Sequence, residues 1–220
     1  LRRMYGEKSE NIYYYLTVYN EPYMQPAEPD NLDVAGLLKG IYLYQGAGKQ
    51  RKKNAQILAS GVGMNWALKA AKLLESDWGV SAAVWSVTSW NELRRDGLAV
   101  DRHNLLNPSH QRTAYITSKL RGAEGPVIAV SDYMRAVQDQ VAPWVEQEFA
   151  SLGTDGFGLS DTRGALRRHF KVDAESIVIA TLASLAKAGE VKQSVVQDAI
   201  DKYQINDINA ADPGNTEGSG

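Results

Sequence analysis

The sequence predicts an α/β fold: three α/β/α layers around a mainly parallel sheet, like the crossover folds in which helices cover both faces. Short apolar runs rich in β-branched residues alternate along the 220-residue chain with amphipathic segments of about ten to fifteen residues. Glycines stand where these runs and segments meet. Alternation of this kind builds crossover units, so the strands are expected to be parallel.

The first element is a strand predicted over Asn11 to Asn20, "NIYYYLTVYN", because Tyr, Ile, Val and Thr suit a pleated surface. The next ten residues hold Pro22, Pro26 and Pro29, which disfavour helix and central strand, and they are expected to form a linker. The opening at Leu1, "LRRMYGE", is typical of the last turn of a helix. We therefore expect a piece of a longer protein, in which the strand belongs to a sheet mostly outside this sequence.

Two strands are predicted near Ile41 to Tyr44 and Ala55 to Ala59, joined as a hairpin by a glycine-rich basic turn. Cations in such a turn can grip phosphates or can keep a hairpin tip solvated. The second interpretation is favoured. The turn residues are Gly46, Gly48, Lys49, Arg51, Lys52 and Lys53.

The middle of the chain continues the alternation. A helix is predicted from the spacing of Met64, Leu68, Ala71 and Leu74, with Gly79 ending it in a left-handed conformation. Strands follow at "AAVWSV", "PVIAVS" and "EFASLG". Between the last two strands, a helix is predicted to carry Met134, Val137 and Val141 on one face. Pro143 is expected to end or kink this helix.

The last part of the chain is predicted to be helical. Asp173 is expected to cap a helix that buries Val178, Leu182 and Leu185 and ends before Gly189. A second helix, "SVVQDAIDKY", places Val196, Ala199, Ile200 and Tyr203 on one face. The tail "NAADPGNTEGSG" is too polar to offset the entropy of ordering and is expected to be mobile.

Composition excludes several classes of function. The formal net charge is −2 and the pI is near 6.0, so no global field attracts nucleic acid or an anionic membrane. There are no cysteines, hence no disulfides or thiolate zinc sites, which fits a reducing compartment. No apolar run approaches the roughly 20 residues that span a bilayer. We expect a soluble, cytoplasmic protein that binds neither nucleic acid nor membrane.

Two glycine-rich turns are candidate anion sites. "SGVGMN" follows a strand and opens a helix, so backbone amides of Gly63 to Asn65 are available in principle, but the third glycine of a dinucleotide motif is missing. The second turn opens the stretch "LGTDGFGLSDTRGALRRHF", residues 152–170. Here Asp155 and Asp161 would repel an anion, while Ser160 or Asp161 can cap the following helix. Both turns are interpreted as scaffold.

Other candidates are single residues without fixed partners. Arg163 and Arg167 are four apart and could clamp a carboxylate, but exposed helix arginines are common. His103 and His110 fall in a predicted loop, where a general acid or base is conceivable. No H-x-x-x-H metal motif occurs. The sequence therefore predicts no catalytic, cofactor-binding or metal-binding residue in this chain.

Five collinear motifs resemble one family. "NIYYYLTVYNEPY", "LKGIY", "SVTSWNELRRDG", "SDYM" and "LGTDGFGLSDTRGALRRHFKVDAESIV" are similar to the C-terminal part of the homodimeric bacterial pyruvate dehydrogenases. These are the thiamine-diphosphate-dependent first components of the pyruvate dehydrogenase complex. The resemblance runs from Leu1 to about Ile208. Leu159 departs from it, since a polar or basic residue is expected there.

The resemblance implies a domain plan. Residues 1–30 would end a pyrimidine-binding domain and its proline-rich linker, residues 31–208 would form a transketolase-type C-terminal domain, and residues 209–220 would be a flexible tail. In the family, thiamine diphosphate and magnesium are held upstream through G-D-G and N-N motifs, neither of which occurs here. This chain alone is expected to bind neither and to lack catalytic activity.

The resemblance also implies function and partners. The parent enzyme would decarboxylate pyruvate and reductively acetylate the lipoyl group of the dihydrolipoamide acetyltransferase component. This domain would support dimerisation and contact the rest of its own chain, with Trp66, Trp85, Trp90 and Trp144 as interface candidates. The alternative is a small-molecule binding or regulatory module acting at the carboxyl edge of its sheet.

Overall fold

The computed structural model describes residues 1–16, 18, 23–48 and 52–211. These divide into two compact units, one within residues 1–24 and one within residues 25–214. The first unit contains the short helix α1 (Arg2–Tyr5) and an ion pair in which Arg3 contacts Glu10 at 2.5 Å.

The strand predicted over Asn11–Asn20 is wrong for the part of this segment that is described. Residues 11–16 and 18 form no ladder, while residues 17, 19 and 20 lie outside the described residues. A strand requires a neighbour for its backbone hydrogen bonds. Within the described part of this unit no other strand supplies one, and Tyr13, Tyr15, Leu16 and Val18 are between 79% and 87% exposed.

The second unit is built on five strands and eight α-helices among its described residues. The strands are β1 (Ile41–Gln45), β2 (Asn54–Ala59), β3 (Ser81–Val87), β4 (Val127–Val130) and β5 (Phe149–Leu152). The helices are α2 (Val34–Lys39), α3 (Gly63–Trp78), α4 (Trp90–Leu106), α5 (Tyr115–Leu120), α6 (Arg135–Asp139), α7 (Arg163–His169), α8 (Ala174–Lys187) and α9 (Gln193–Lys202). Short 3₁₀ turns lie at Ala142–Trp144 and Ile208–Ala210.

The sheet has the order β1-β3-β2-β4-β5 and is mainly parallel, as predicted. Only β1 runs antiparallel, along β3. The predicted β1–β2 hairpin is therefore wrong, because β3 lies between these strands and pairs with β2 in parallel. Since β2 buries residues on both faces, it belongs at the centre of the sheet. Of the basic turn, Lys49 and Arg51 lie outside the described residues.

Helices cover both faces of this sheet, which confirms the three-layer prediction. Side chains of β2 such as Ile57 point into one core, with α3, α8 and α9, and the adjacent Leu58 belongs to the other core, with α4 and α5. This alternation follows from the two-residue period of a strand. Because β2, β3, β4 and β5 are parallel, their carboxyl ends lie at one common edge of the sheet, which we call the carboxyl edge.

Helix ends follow local chemistry. Gly79 ends α3 with φ of 63°, and the Asp173 carboxylate accepts from the Ser176 amide at the start of α8 at 3.0 Å, both as predicted. The helix predicted between β4 and β5 is shorter than expected. It ends at Asp139, and Pro143 lies in the 3₁₀ turn that follows, because proline lacks the amide proton that an α-helix needs.

The tryptophans lie mostly inside the domain. Trp85 and Trp90 are only 8% and 4% exposed, so their predicted role at an interface is wrong. Trp144 packs across Gly97 of α4, where an added Cβ would lie 2.3 Å from the indole. Its Nε1 donates to the Asp101 carboxylate at 3.1 Å. This contact joins α4 to the 3₁₀ turn before β5.

Candidate functional site at the carboxyl edge of the sheet

The glycine turn between β2 and α3 is a packing device. The amides of Gly63, Met64 and Asn65 already donate to the carbonyls of Ser60, Gly61 and Val62, at 3.0 to 3.3 Å. An added Cβ at Gly63 would lie 3.3 Å from the Val130 carbonyl oxygen. The glycine therefore allows the helix to approach β4 closely, and these amides are not available to hold an anion.

The stretch after β5 is attached to the loop after β4. The Thr154 amide donates to the Tyr133 carbonyl at 2.9 Å, and the Thr154 hydroxyl donates to the Asp132 carbonyl at 2.8 Å. The Asp155 carboxylate accepts from the amide and from Nε of Arg135, at 2.9 and 2.8 Å. Hydrogen bonds from the Arg135 amide and then its guanidinium hold the pKa of Asp155 below its ordinary value. Asp155 is thus an internal partner, consistent with scaffold.

The cap of α7 differs from the prediction. Thr162, and neither Ser160 nor Asp161, is the N-cap, and its hydroxyl accepts from the Ala165 amide at 3.4 Å. Asp161 instead accepts from the Thr162 amide at 2.6 Å. Ser, Thr and Asp are all good caps, so their succession in the sequence leaves the choice open.

Of the two arginines predicted as a clamp, Arg167 lies against an aromatic ring. The guanidinium carbon of Arg167 lies 4.8 Å from the centre of the Trp66 ring, a cation–π contact between α7 and α3. Arg163 is exposed in the first turn of α7. Arg167 thus connects α7 to α3 through Trp66.

Sequence reasoning missed Arg168, the centre of a buried ionic cluster. Its side chain is 1% exposed, and its Nε donates to Asp173 at 2.5 Å. Its other nitrogens lie 3.5 Å from Glu175 and 3.0 and 3.3 Å from the carbonyls of Tyr203 and Gln204. The sequence signal was the pair of carboxylates Asp173 and Glu175, which follow the basic helix α7. From sequence alone, Asp173 is interpreted only as a helix cap.

Two neighbouring groups strengthen this cluster. Lys171 donates to the Ile205 carbonyl at 2.7 Å, and burial lowers the pKa of its amine. The Tyr203 hydroxyl accepts from Trp78 and donates to Asp77, both at 2.9 Å. Burial raises the pKa of the Tyr203 phenol well above its ordinary value, so it stays neutral. These groups fix the segment after α9 and do not constitute an acid or base site.

The histidines also have structural contacts. His103 lies within α4, so its predicted loop position is wrong, and its Nε2 is 2.9 Å from the His110 carbonyl oxygen. Since a carbonyl only accepts, Nε2 donates. His169 makes an edge contact with Phe170, with ring centres 5.0 Å apart. For none of the three is a contact with a serine hydroxyl or a carboxylate found in the described part of the chain, so no nucleophile and base pair is assembled there.

The described residues contain neither a metal-binding cluster nor a membrane-spanning helix. In them, no three His, Asp or Glu side chains are placed to hold a metal ion. Likewise, none of the helices in residues 1–16, 18, 23–48 and 52–211 has the length and apolarity to cross a bilayer.

Two clefts lie away from the carboxyl edge. One, of about 350 Å³, is at the end of α9 beside Asp201 and Asp207. The other, of about 270 Å³, lies between α4 and α5 and is lined by Asp101, Arg112 and Arg121 among others. Neither cleft is lined by residues 61–65 or 153–160. The binding module predicted at the carboxyl edge therefore gains no support from either cleft.

Comparison with known proteins agrees with this architecture. Residues 40–173 match the family described as the transketolase-like TK C-terminal domain. A transketolase from Leishmania mexicana shares the fold with a TM-score of 0.50 at 20% identity, over 72% of this chain and 20% of that one.

Two curated relatives are much closer in sequence. The chain is 59% identical over 212 residues to the pyruvate dehydrogenase E1 component of Mycolicibacterium smegmatis, covering 96% of this chain and 23% of that protein. It is 54% identical over 220 residues to the E1 component of Mycobacterium tuberculosis, covering 97% and 24%. The chain thus spans about a quarter of the length of these relatives. It belongs to the family of transketolase-like C-terminal domains, in the form found in pyruvate dehydrogenase E1 components.

Proposed function

We propose that this chain is the C-terminal structural and dimerisation domain of a pyruvate dehydrogenase. The observation that carries the proposal is 59% identity with an E1 component over 96% of this chain. The parent enzyme would decarboxylate pyruvate with thiamine diphosphate and transfer the acetyl group to the lipoyl group of an acetyltransferase. Its partners would be the rest of its own chain, a second copy of itself and that acetyltransferase.

The described residues do not fit thiamine diphosphate and its magnesium ion. Magnesium prefers oxygen ligands such as carboxylates, but among these residues no three carboxylate or histidine side chains converge on a metal position. The amides at the start of α3 are already bonded, and Asp155 places negative charge in the other glycine turn. We therefore assign no step of the reaction to these residues, and propose that the cofactor is held elsewhere in the parent enzyme.

The domain plan supports the same proposal. Residues 1–30 would belong to the end of a pyrimidine-binding domain with its linker, and residues 31–208 to the transketolase-type domain. In unit 1, the exposed Tyr13, Tyr15 and Leu16 suit a strand that is covered on both faces in the parent enzyme. Of the expected tail 209–220, residues 212–220 lie outside the described residues.

We infer that the surface for dimerisation includes α2 and β1. Val34 and Leu38, four residues apart on α2, are 58% and 72% exposed, and Leu43 on the neighbouring edge strand β1 is 45% exposed. A twofold dimer presents the same patch from both copies, so an apolar patch of this kind can meet itself. Stable interfaces bury roughly 800 Å² per partner, and this surface would be the centre of one.

The test is the oligomeric state of the full-length E1 component that carries this domain. Sedimentation of the Leu38→Asp variant is expected to show a shift from dimer to monomer, because two buried aspartates would face each other. The matched control is Leu105→Asp, on α4, where the leucine is 81% exposed. A full-length protein that is monomeric without substitution would refute the dimerisation role.

A separate measurement addresses the binding-module alternative. Calorimetry of this chain with pyruvate, acetyl-CoA and nucleotides is expected to give no binding heat if the domain is scaffold. Saturable heat that disappears when the carboxyl edge is altered, for example by Gly63→Val, would favour the alternative.

A further inference from the structure

Two neighbouring loops at the carboxyl edge expose four large apolar side chains. The loops follow β4 and β5, which are parallel neighbours whose last residues, Val130 and Leu152, are paired. We call this set the edge patch; its exposed fractions are 47%, 57%, 96% and 54% for Tyr133, Met134, Phe157 and Leu159. Exposed apolar groups that cluster in this way mark interaction sites more often than isolated ones do.

The base of the patch is fixed. Thr154 and Asp155 of the second loop make four hydrogen bonds to residues 132–135 of the first. Gly153 lies so close to the first loop that an added Cβ would be 2.5 Å from the Tyr133 carbonyl oxygen. The two loops therefore form one unit, and the apolar side chains are presented on a preorganised support, which lowers the entropy cost of binding.

The tip of the patch is one phenylalanine between two glycines. Phe157 stands between Gly156, which has φ of 92°, and Gly158, and an added Cβ at either glycine meets nothing within 4 Å. Phe157 itself is 96% exposed, so no side chain of the described residues covers its ring. Burying an exposed phenylalanine removes a large apolar area from water, which favours binding, and aromatic residues are typical anchors at the centre of an interface.

The charges of the patch favour a protein partner. Residues 152–161 contain Asp155 and Asp161 and no lysine or arginine. Nucleic acids and anionic membranes require cations at the contact. Asp155 is paired with Arg135 and Asp161 accepts from the Thr162 amide, so the stretch around Phe157 keeps a small negative charge, which neither a nucleic acid nor an anionic membrane favours.

Two occupants of the patch can be compared, a second copy of this domain and the rest of the E1 polypeptide. On a second copy, the cleft between α4 and α5 is lined mainly by polar residues, which do not suit a phenyl ring, and the cleft at the end of α9 carries Asp201 and Asp207 beside its two isoleucines. The relatives, however, carry about three quarters of their length outside the region that this chain matches. We propose that Phe157 and the edge patch dock into an apolar pocket in that remaining part of the E1 polypeptide. This inference rests on the proposed function.

Photocrosslinking in the full-length E1 component tests the docking. Phe157→p-benzoylphenylalanine is expected to crosslink, on irradiation, to peptides outside the region matched by this chain, as identified by mass spectrometry. Leu105→p-benzoylphenylalanine on α4 is the matched control for an exposed apolar position. Crosslinks from position 157 to this same domain of a second copy, or no crosslinks beyond those of the control, would overturn the proposal.

Hydrogen exchange supplies a second readout that does not depend on the crosslinker. In the full-length protein, Phe157→Ser is expected to raise exchange of residues 153–161 about tenfold, equal to the loss of about 1.4 kcal/mol of docking energy. Leu105→Ser is expected to leave these residues unchanged. If the full-length protein is a dimer but Phe157→Ser changes nothing, the docking is refuted and the proposed function stands. If crosslinks form in a monomeric protein, the dimerisation role fails and the docking stands.

Discussion

The Arg168 cluster and the edge patch use polar and apolar groups in opposite ways. The cluster takes a guanidinium that is 1% exposed and surrounds it with two carboxylates and two carbonyls. The patch leaves Phe157 96% exposed beside a paired Asp155. In the cluster, charged groups hold segments of the domain together, whereas in the patch an apolar side chain is exposed on the surface of the domain. This difference is expected of a support whose contacts with other parts of an enzyme are part of its role.

The largest expected effect is in the cluster. Arg168→Met would remove the guanidinium from the buried Asp173, which costs about 3 to 5 kcal/mol when a buried ion pair is broken, while Glu175 keeps its ion pair with Lys69 at 3.0 Å. Urea unfolding of this chain measures the free energy. The exposed Arg102→Met is the control and should stay within about 0.5 kcal/mol. Equal stability of the two variants would show that the cluster contributes no net stabilisation.

A smaller effect is expected from a pair of glycines, one internal and one in the patch. Gly97→Ala would place a Cβ 2.3 Å from the Trp144 indole and should destabilise the chain by about 1 to 3 kcal/mol. Gly158→Ala meets nothing within 4 Å and should change stability by less than about 0.5 kcal/mol. Thermal unfolding of both variants measures this. A similar loss at Gly158 would mean that the patch is more tightly packed than its exposure indicates.

The smallest effect concerns the ion pair below the patch. Arg135 lowers the pKa of Asp155, so the titration midpoint of this carboxyl, followed by NMR, should lie below the ordinary value of about 3.9. Because the folded pKa is lowered, the pair's contribution to stability is present above the ordinary pKa and lost as pH falls through the lowered one. In Arg135→Met the midpoint should rise. A midpoint that does not move would show that the Arg135 guanidinium does not lower this pKa, and that the amide of residue 135, which the substitution keeps, is its cause.

Much of the fold was predictable from sequence, because its strands and long helices follow local patterns. Runs such as Ile41 to Tyr44 contain β-branched and aromatic residues, which favour a strand. Asp173 caps α8 through a hydrogen bond to Ser176, only three residues away in the sequence. The strand order was not predictable in this way. The position of β3 between β1 and β2 depends on the crossover through α3, and the basic turn between β1 and β2 is equally compatible with a hairpin.

The candidate site was harder to predict than the fold. Arg167 and Arg168 are adjacent and chemically identical, yet one stacks on Trp66 and the other is buried. Their different roles are decided by partners such as Tyr203, which is 35 residues from Arg168 in sequence. The amides of the first glycine turn were expected to be free in principle, and only the structure shows the carbonyls to which they donate.

Arg168 and Lys171 donate hydrogen bonds to three successive carbonyls, those of Tyr203, Gln204 and Ile205. These bonds affect when the domain can finish folding during its synthesis on the ribosome. While translation has not yet delivered these carbonyls, the arginine and lysine lack part of their hydrogen-bonding shell and favour hydrated, partly open conformations. Completion of the sheet-and-helix body is therefore expected late, after α9 has left the exit tunnel.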